Sequence, residues 1–88
     1  NQVVVIERGS LKYFGEPNDM VKLAKDKVWL FDIEASRLGE LDEKLIANHI
    51  QDGDKVKVRY ISPTCPFPGA EPAEPNLEDA YLCLLKNL

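Results

Sequence analysis

Most apolar positions of this chain follow the short runs and two-residue alternation of β-strands, and the longest helical stripe lies at the C-terminal end. Residues 3–6, "VVVI", form a β-branched run typical of a strand buried on both faces. Gly9 lies in a turn before a second apolar run that ends at Phe14, so the two runs predict an N-terminal β-hairpin. Pro17 suits the first turn of a short helix, which the apolar stripe from Met20 to Ala24 predicts.

The segment "KVWLFDIE" predicts the next strand, in which Trp29, Phe31 and Ile33 share one face. We expect that face to be core and the opposite face, with Val28 and Leu30, to be only partly covered. A short helix is expected next, capped by a serine and weakened by a glycine, with its leucines at helical spacing. Ser36 is the expected cap, Gly39 is the weakening glycine, and the leucines are Leu38, Leu41 and Leu45.

The clearest hairpin of the chain lies between "IANHIQ" and "DKVKVRYIS". Asp52 and Gly53 are the preferred pair for a two-residue turn of the mirror-image kind. The returning strand alternates apolar and basic residues, which predicts one core face and one solvated face. The apolar set is Val56, Val58 and Tyr60, and the basic set is Lys55, Lys57 and Arg59.

Five of the six prolines lie in residues 63–75, which predicts an irregular, semi-stiff crossover. Asn76 caps the final amphipathic helix, and Cys83 falls one residue away from its apolar stripe. The predicted stripe consists of Leu77, Ala80, Tyr81, Leu84, Leu85 and Leu88. The fold class is therefore α+β: an N-terminal β-hairpin, a short helix, a partial ferredoxin-like strand–helix–hairpin unit, a Pro-rich crossover and a C-terminal amphipathic helix.

Composition narrows the range of functions without selecting one. The 88 residues fit a single domain, and a formal net charge of -4 makes nucleic acid a poor partner. No apolar run approaches the roughly 20 residues of a membrane-spanning helix. The opening residues do not resemble a signal peptide, so Cys65 and Cys83 are expected to be free thiols.

None of the chemically notable side chains predicts a site, so no catalytic, cofactor-binding or metal-binding residue is expected. His49 has no nucleophile or orienting carboxylate placed beside it by the sequence, and a single histidine without a Cys-x-x-Cys pattern disfavours metal binding. Adjacent acidic residues of a helix point in different directions, and aromatic residues on a core face are expected to pack. The acidic residues are Glu40, Asp42 and Glu43, and the aromatic residues are Trp29 and Phe31. Neither phosphate-binding glycine motif occurs in the chain.

In its order of motifs the whole chain resembles the C-terminal end of the ATP-binding subunit of a bacterial ABC transporter. The first part resembles that subunit's final strand hairpin, with Gln2 and Glu16 as mild departures from the usual arginine and serine or threonine. The matching residues are residues 3–6, Gly9, Leu11, Phe14, Gly15 and Pro17. The rest resembles the extra C-terminal domain of subunits that serve multidrug and ABC-2-type exporters. Its most specific piece is matched by Glu74, Pro75, Leu77, Glu78, Asp79, Ala80, Tyr81, Leu82 and Leu84.

The resemblance implies a division into residues 1–16, the final hairpin of the ATPase core, and residues 17–88, an accessory α+β domain. The Walker motifs, signature loop and switch histidine would then precede Asn1, so the segment itself is expected not to be an enzyme and to bind no cofactor. ATP and magnesium would belong to the parent protein, at the cytoplasmic face of the membrane. The implied partners are the rest of the subunit, a membrane permease and a second copy of the chain.

Two other readings follow from the fold class. A stand-alone ferredoxin-like regulatory domain would bind a metabolite at a dimer interface. An RNA-recognition fold would expose aromatic residues beside basic ones on its central strands, and here only Tyr60 accompanies them, on the predicted core face. The second reading is therefore disfavoured.

Overall fold

The computed structural model describes all of Asn1–Leu88 and confirms the α+β class. Two helices accompany six strands, and three short 3₁₀ segments follow α1 or connect β3 to β4. The helices are α1 Pro17–Val21 and α2 Leu77–Lys86, and the 3₁₀ segments are Lys22–Ala24, Ala35–Glu40 and Glu43–Leu45. The strands are β1 Val3–Glu7, β2 Ser10–Gly15, β3 Val28–Glu34, β4 Ile46–Asp52, β5 Lys55–Ile61 and β6 Glu71–Pro72.

The strands form two separate sheets. The hairpin β1–β2 is one, and the second has the order β4-β5-β3-β6 with every pair antiparallel. Since β3 and β4 both run antiparallel to β5, they are parallel to each other with β5 between them. The order and directions of these three strands match a split β-α-β unit, but the β3–β4 connection and α2 lie on opposite faces of the sheet, so the resemblance to a ferredoxin-like unit is limited to the strands.

The connection between β3 and β4 differs from the predicted helix, because it consists of two 3₁₀ segments. Glu34, not Ser36, occupies the N-cap position, and it makes no side-chain capping bond. Asp42 separates the two 3₁₀ segments, because its carboxylate accepts a hydrogen bond from the backbone N–H of Lys44 (3.0 Å) and starts a new turn. Leu38, Leu41 and Leu45 still pack on the sheet, so their spacing does not require an α-helix.

Both hairpins turn through two residues, and one turn is displaced from its predicted position. Arg8 and Gly9 have φ values of 53° and 77°, as a type I′ turn requires. In the second hairpin Gly53 has φ 66° and begins the turn, while Asp52 still pairs with Lys55. The central pair is therefore Gly53–Asp54, a type II′ pattern with glycine first, and not the predicted Asp52–Gly53.

The predicted core face of the large sheet is confirmed. Phe31 and Ile33 are buried, and Trp29 is half-buried with its indole N–H donating to the Ser62 carbonyl (2.9 Å). They lie with Val56, Val58 and Tyr60 beneath the leucines of the 3₁₀ segments, Phe67 and Ala70.

A second core lies on the opposite face, at one end of the sheet only. There α1 and α2 cover Val28, which is fully buried, while Leu30 on the same face stays exposed. The predicted stripe of α2 is displaced: Cys83 is buried, and Leu77 and Tyr81 are exposed. The centre of this core is formed by Met20, Ala24, Val28, Ile61, Ala80 and Cys83.

Candidate functional site

The basic face predicted for β5 is only partly solvated, because the guanidinium of Arg59 is held by hydrogen bonds within the protein. Its Nε donates to Oδ1 of Asp79 (3.0 Å), and its Nη2 donates to Oδ2 of Asp79 (2.6 Å) and to the carbonyl of Glu74 (2.7 Å). Asp79 is fully buried at the start of α2, where it also forms a capping box with Asn76. The hydrogen bond with Asp79 raises the pKa of the Arg59 guanidinium. The positive charge of Arg59 is therefore paired within the fold.

Beyond α2 the same face of the sheet is open and forms a shallow cleft of about 480 Å³. Lys57 approaches Asp32 on the neighbouring strand (3.8 Å), so part of the charge in the cleft is already paired. The cleft combines polar groups of both signs with two exposed aliphatic side chains, which suits a small polar molecule better than a large anion. Its floor includes Leu30, Asp32, Asn48, Ile50, Lys57 and Arg59.

The remaining chemically notable residues are not brought together. His49 is an exposed residue of β4, opposite Val58 and at the cleft margin. Glu40 forms an ion pair with Arg37 (3.1 Å), whose hydrogen bond lowers the pKa of the Glu40 carboxyl. Asp42 caps a turn, and Glu43 is exposed, so these acids form no shared site.

The two cysteines occupy opposite environments and are both free thiols. Cys65 is exposed in the Pro-rich segment, whereas Cys83 is buried on α2, in the core that also contains Met20 of α1. Burial raises the pKa of the Cys83 thiol, which keeps it protonated and unreactive at neutral pH. No group of three or more His, Cys, Asp or Glu side chains is arranged to hold a metal ion. No helix has the length and apolar character needed to cross a membrane.

Four of the nine exposed large apolar side chains lie on the N-terminal hairpin. Val3 and Val5 point toward the core around Met20, whereas the alternate residues point outward, so β1 is not buried on both faces as predicted. Four outward side chains form one surface, which we call the hairpin face. Its members, with their exposed fractions, are Val4 (53%), Ile6 (63%), Leu11 (63%) and Phe14 (60%).

A second apolar feature lies along the free edge of β1, where it faces α2. This β1 groove has a volume of about 400 Å³. Seven of its eight lining residues are apolar, and Glu78 supplies the single charge. The lining consists of Val3, Val4, Val5, Ile6, Met20, Leu77, Glu78 and Tyr81. Sequence patterns did not indicate this groove, because they placed Leu77 and Tyr81 in the buried stripe of the helix.

The chain matches no protein-family model, no curated protein and no solved structure.

Proposed function

We propose that the chain is the non-catalytic C-terminal region of the ATP-binding subunit of a bacterial ABC exporter. It assists dimerisation of the subunit or couples ATP hydrolysis to export. ATP and magnesium are bound by the upstream part of the parent protein, and the partners are that part of the subunit and a membrane permease. The site of action is the cytoplasmic face of the membrane.

The exposed hairpin face is the observation that carries the proposal. Four large apolar side chains, each more than half exposed, are costly in water, and contiguous patches of this kind mark contact surfaces. The hairpin also forms its own sheet, apart from the strands that follow it. Both features suit a terminal hairpin that belongs to a neighbouring ATPase core, which is the place that the resemblance gives to residues 1–16.

The C-terminal motif supports the accessory role of residues 17–88. Its carboxylate, Asp79, accepts the backbone N–H of Asn76 at the start of α2 and binds Arg59, and its residue Glu74 accepts a hydrogen bond from the same guanidinium through its backbone carbonyl. The most specific piece of the resemblance therefore has a role in holding helix to sheet. We assign no catalytic residue to this region.

The reading frame upstream of Asn1 tests the proposal directly. We expect Walker A, signature and Walker B motifs there, followed by a switch histidine. Deleting residues 17–88 from that longer protein is expected to leave ATP binding intact and to lower transport per ATP hydrolysed. An upstream frame without Walker motifs contradicts the proposal, as does binding of Mg-ATP by the 88-residue chain in titration calorimetry.

The cleft on the open sheet face favours a second candidate, a regulatory domain that binds a small metabolite at a dimer interface. Lys57 and Asn48 offer donors there, and Asp32 and Glu71 offer acceptors, around exposed aliphatic side chains. A metabolite that binds only the folded state raises the melting temperature, and the rise continues logarithmically with its concentration above the dissociation constant. A screen of amino acids, nucleosides and organic acids that produces no such rise, while Walker motifs are found upstream, excludes this candidate.

A further inference from the structure

The free edge of β1 combines an unpaired strand with an apolar wall. β1 pairs with β2 alone, so the backbone groups along its other edge have no strand partner. Across the β1 groove, α2 presents the exposed side chains of Leu77 and Tyr81. Residues 3–6 contain no proline and no charge, which are the usual features that prevent a strand from being added at an edge.

We propose that the β1 groove binds β1 of a second copy of this chain, antiparallel across a two-fold axis. Each copy supplies one strand and one groove, and the two hairpins join into a four-stranded sheet in the order β2-β1-β1-β2. This inference deepens the proposed function, on which its role in subunit dimerisation rests. The pairing itself follows from the strand edge and the groove.

Length, chemistry and area favour this occupant. The groove runs beside residues 3–6, so it accommodates a strand of the length and apolar character of β1 itself. The exposed apolar residues of the groove are few, so the interface lies at the lower end of the size range for specific contacts, about 1,000 Å² in total. We therefore expect a dissociation constant in the micromolar range.

The outer edge of β4 is a weaker candidate for the same kind of pairing. Its exposed side chains are mostly polar, with Asn48, His49 and Gln51 beside one large apolar residue, Ile50, and the cleft next to it is lined mainly by polar residues. Pairing there would bury polar groups with little apolar gain. Self-association is therefore assigned to β1.

Sedimentation velocity of the 88-residue chain, from low micromolar to sub-millimolar concentration, tests the pairing. Tyr81→Lys is expected to raise the dimer dissociation constant by about tenfold or more, since it places a charge in the groove. Leu30→Lys is the matched control, because Leu30 and Tyr81 have exposed fractions of 43% and 44% but Leu30 lies on the open face of the large sheet. Leu77→Lys provides a second groove variant if Tyr81→Lys melts below the wild type, and Val4→Lys, at an outward position of β1, should weaken the dimer.

Amide hydrogen exchange supplies a readout of strand pairing. Some amides of residues 3–6 should become protected as the concentration rises, and this protection should disappear in Tyr81→Lys but not in Leu30→Lys. A monomer at every concentration overturns the pairing, and so does a dimer unaffected by either groove variant. A dimer dispersed by Phe14→Lys but not by Tyr81→Lys assigns the contact to the hairpin face and overturns the groove. None of these results bears on the upstream Walker motifs, whose absence would overturn the proposed function alone.

Discussion

Arg59 and Asp79 form a two-pronged ion pair that joins β5 to the first turn of α2. The contacts are 2.6 Å and 3.0 Å, and the side chain of Asp79 is completely buried while that of Arg59 is 20% exposed. The same carboxylate accepts the backbone N–H of Asn76 (2.8 Å) and so closes the capping box of the helix. One acidic side chain therefore satisfies both the arginine and the helix N-terminus.

Replacing Asp79 with Ala is expected to lower the free energy of unfolding by about 3 kcal/mol or more, because it leaves Arg59 without its partner and removes half of the capping box. Chemical denaturation measures this change. Glu78→Ala is the matched control on the adjacent, exposed position and should change stability by less than about 0.5 kcal/mol. Equal effects of the two substitutions would show that helix-dipole charge, rather than the buried pair, sets the loss.

The cysteines should differ sharply in reactivity. We expect a thiol reagent to modify Cys65 rapidly in the folded protein and Cys83 only at the rate of unfolding, because Cys83 is buried. Mass spectrometry of the modified chain measures both rates. Modification of Cys83 as fast as that of Cys65 would show that the contact between α1 and α2 opens readily.

The raised pKa of Cys83 also predicts a loss of stability at alkaline pH. The unfolded state ionises this thiol at its ordinary pKa, whereas the folded state holds the proton to higher pH. The stabilisation is fully present below the ordinary thiol pKa and is lost as pH rises through the raised, folded-state pKa. Denaturation between neutral pH and about pH 10 should show this decline in the wild type and in Cys65→Ser, and a smaller one in Cys83→Ala.

Phe67 anchors the Pro-rich segment to the core face of the sheet. Its ring stacks on Phe31 with centroids 4.9 Å apart, and the guanidinium carbon of Arg37 lies over the Phe67 ring, 5.3 Å from its centroid. Phe67→Ala should cost about 2 kcal/mol, and Arg37→Ala about 1 kcal/mol or less. Thermal melts that rank these variants in the opposite order would mean that the Arg37–Glu40 pair, not the stacked rings, holds the segment.

Regular alternation allowed the large sheet to be predicted, and the hairpin shows where such patterns stop. Side chains of a strand alternate between its two faces, so the residues that share the covered face all lie on the core side. In β3 these residues are Trp29, Phe31 and Ile33. In the hairpin, a bulge leaves Lys12 without a partner, so Val4 faces Phe14 rather than Tyr13. A bulge of this kind is chosen by packing beyond the strand, and no local signal in "LKYF" announces it.

The candidate surfaces were harder to predict than the fold, for a related reason. In the C-terminal helix, Leu77 and Tyr81 have the spacing of buried residues, but the short α1 lies over Ala80 and Cys83 instead. The buried side of a helix is set by the element that contacts it. Apolar residues on both sides of the true contact therefore give a stripe wider than the core, and the excess becomes the wall of the β1 groove.

The turn of the N-terminal hairpin offers a stabilising substitution. Arg8 has φ 53°, a left-handed conformation that costs an ordinary residue about 1–2 kcal/mol and that asparagine adopts with less strain. Gly9 already occupies the second left-handed position at φ 77°. Arg8→Asn should therefore raise the free energy of unfolding by about 0.5–1 kcal/mol, measured by urea denaturation. Arg8→Ala removes the same charge without asparagine's tolerance of this conformation, so it should bring no gain. Equal stabilisation by both variants would assign the effect to charge and would contradict the conformational argument.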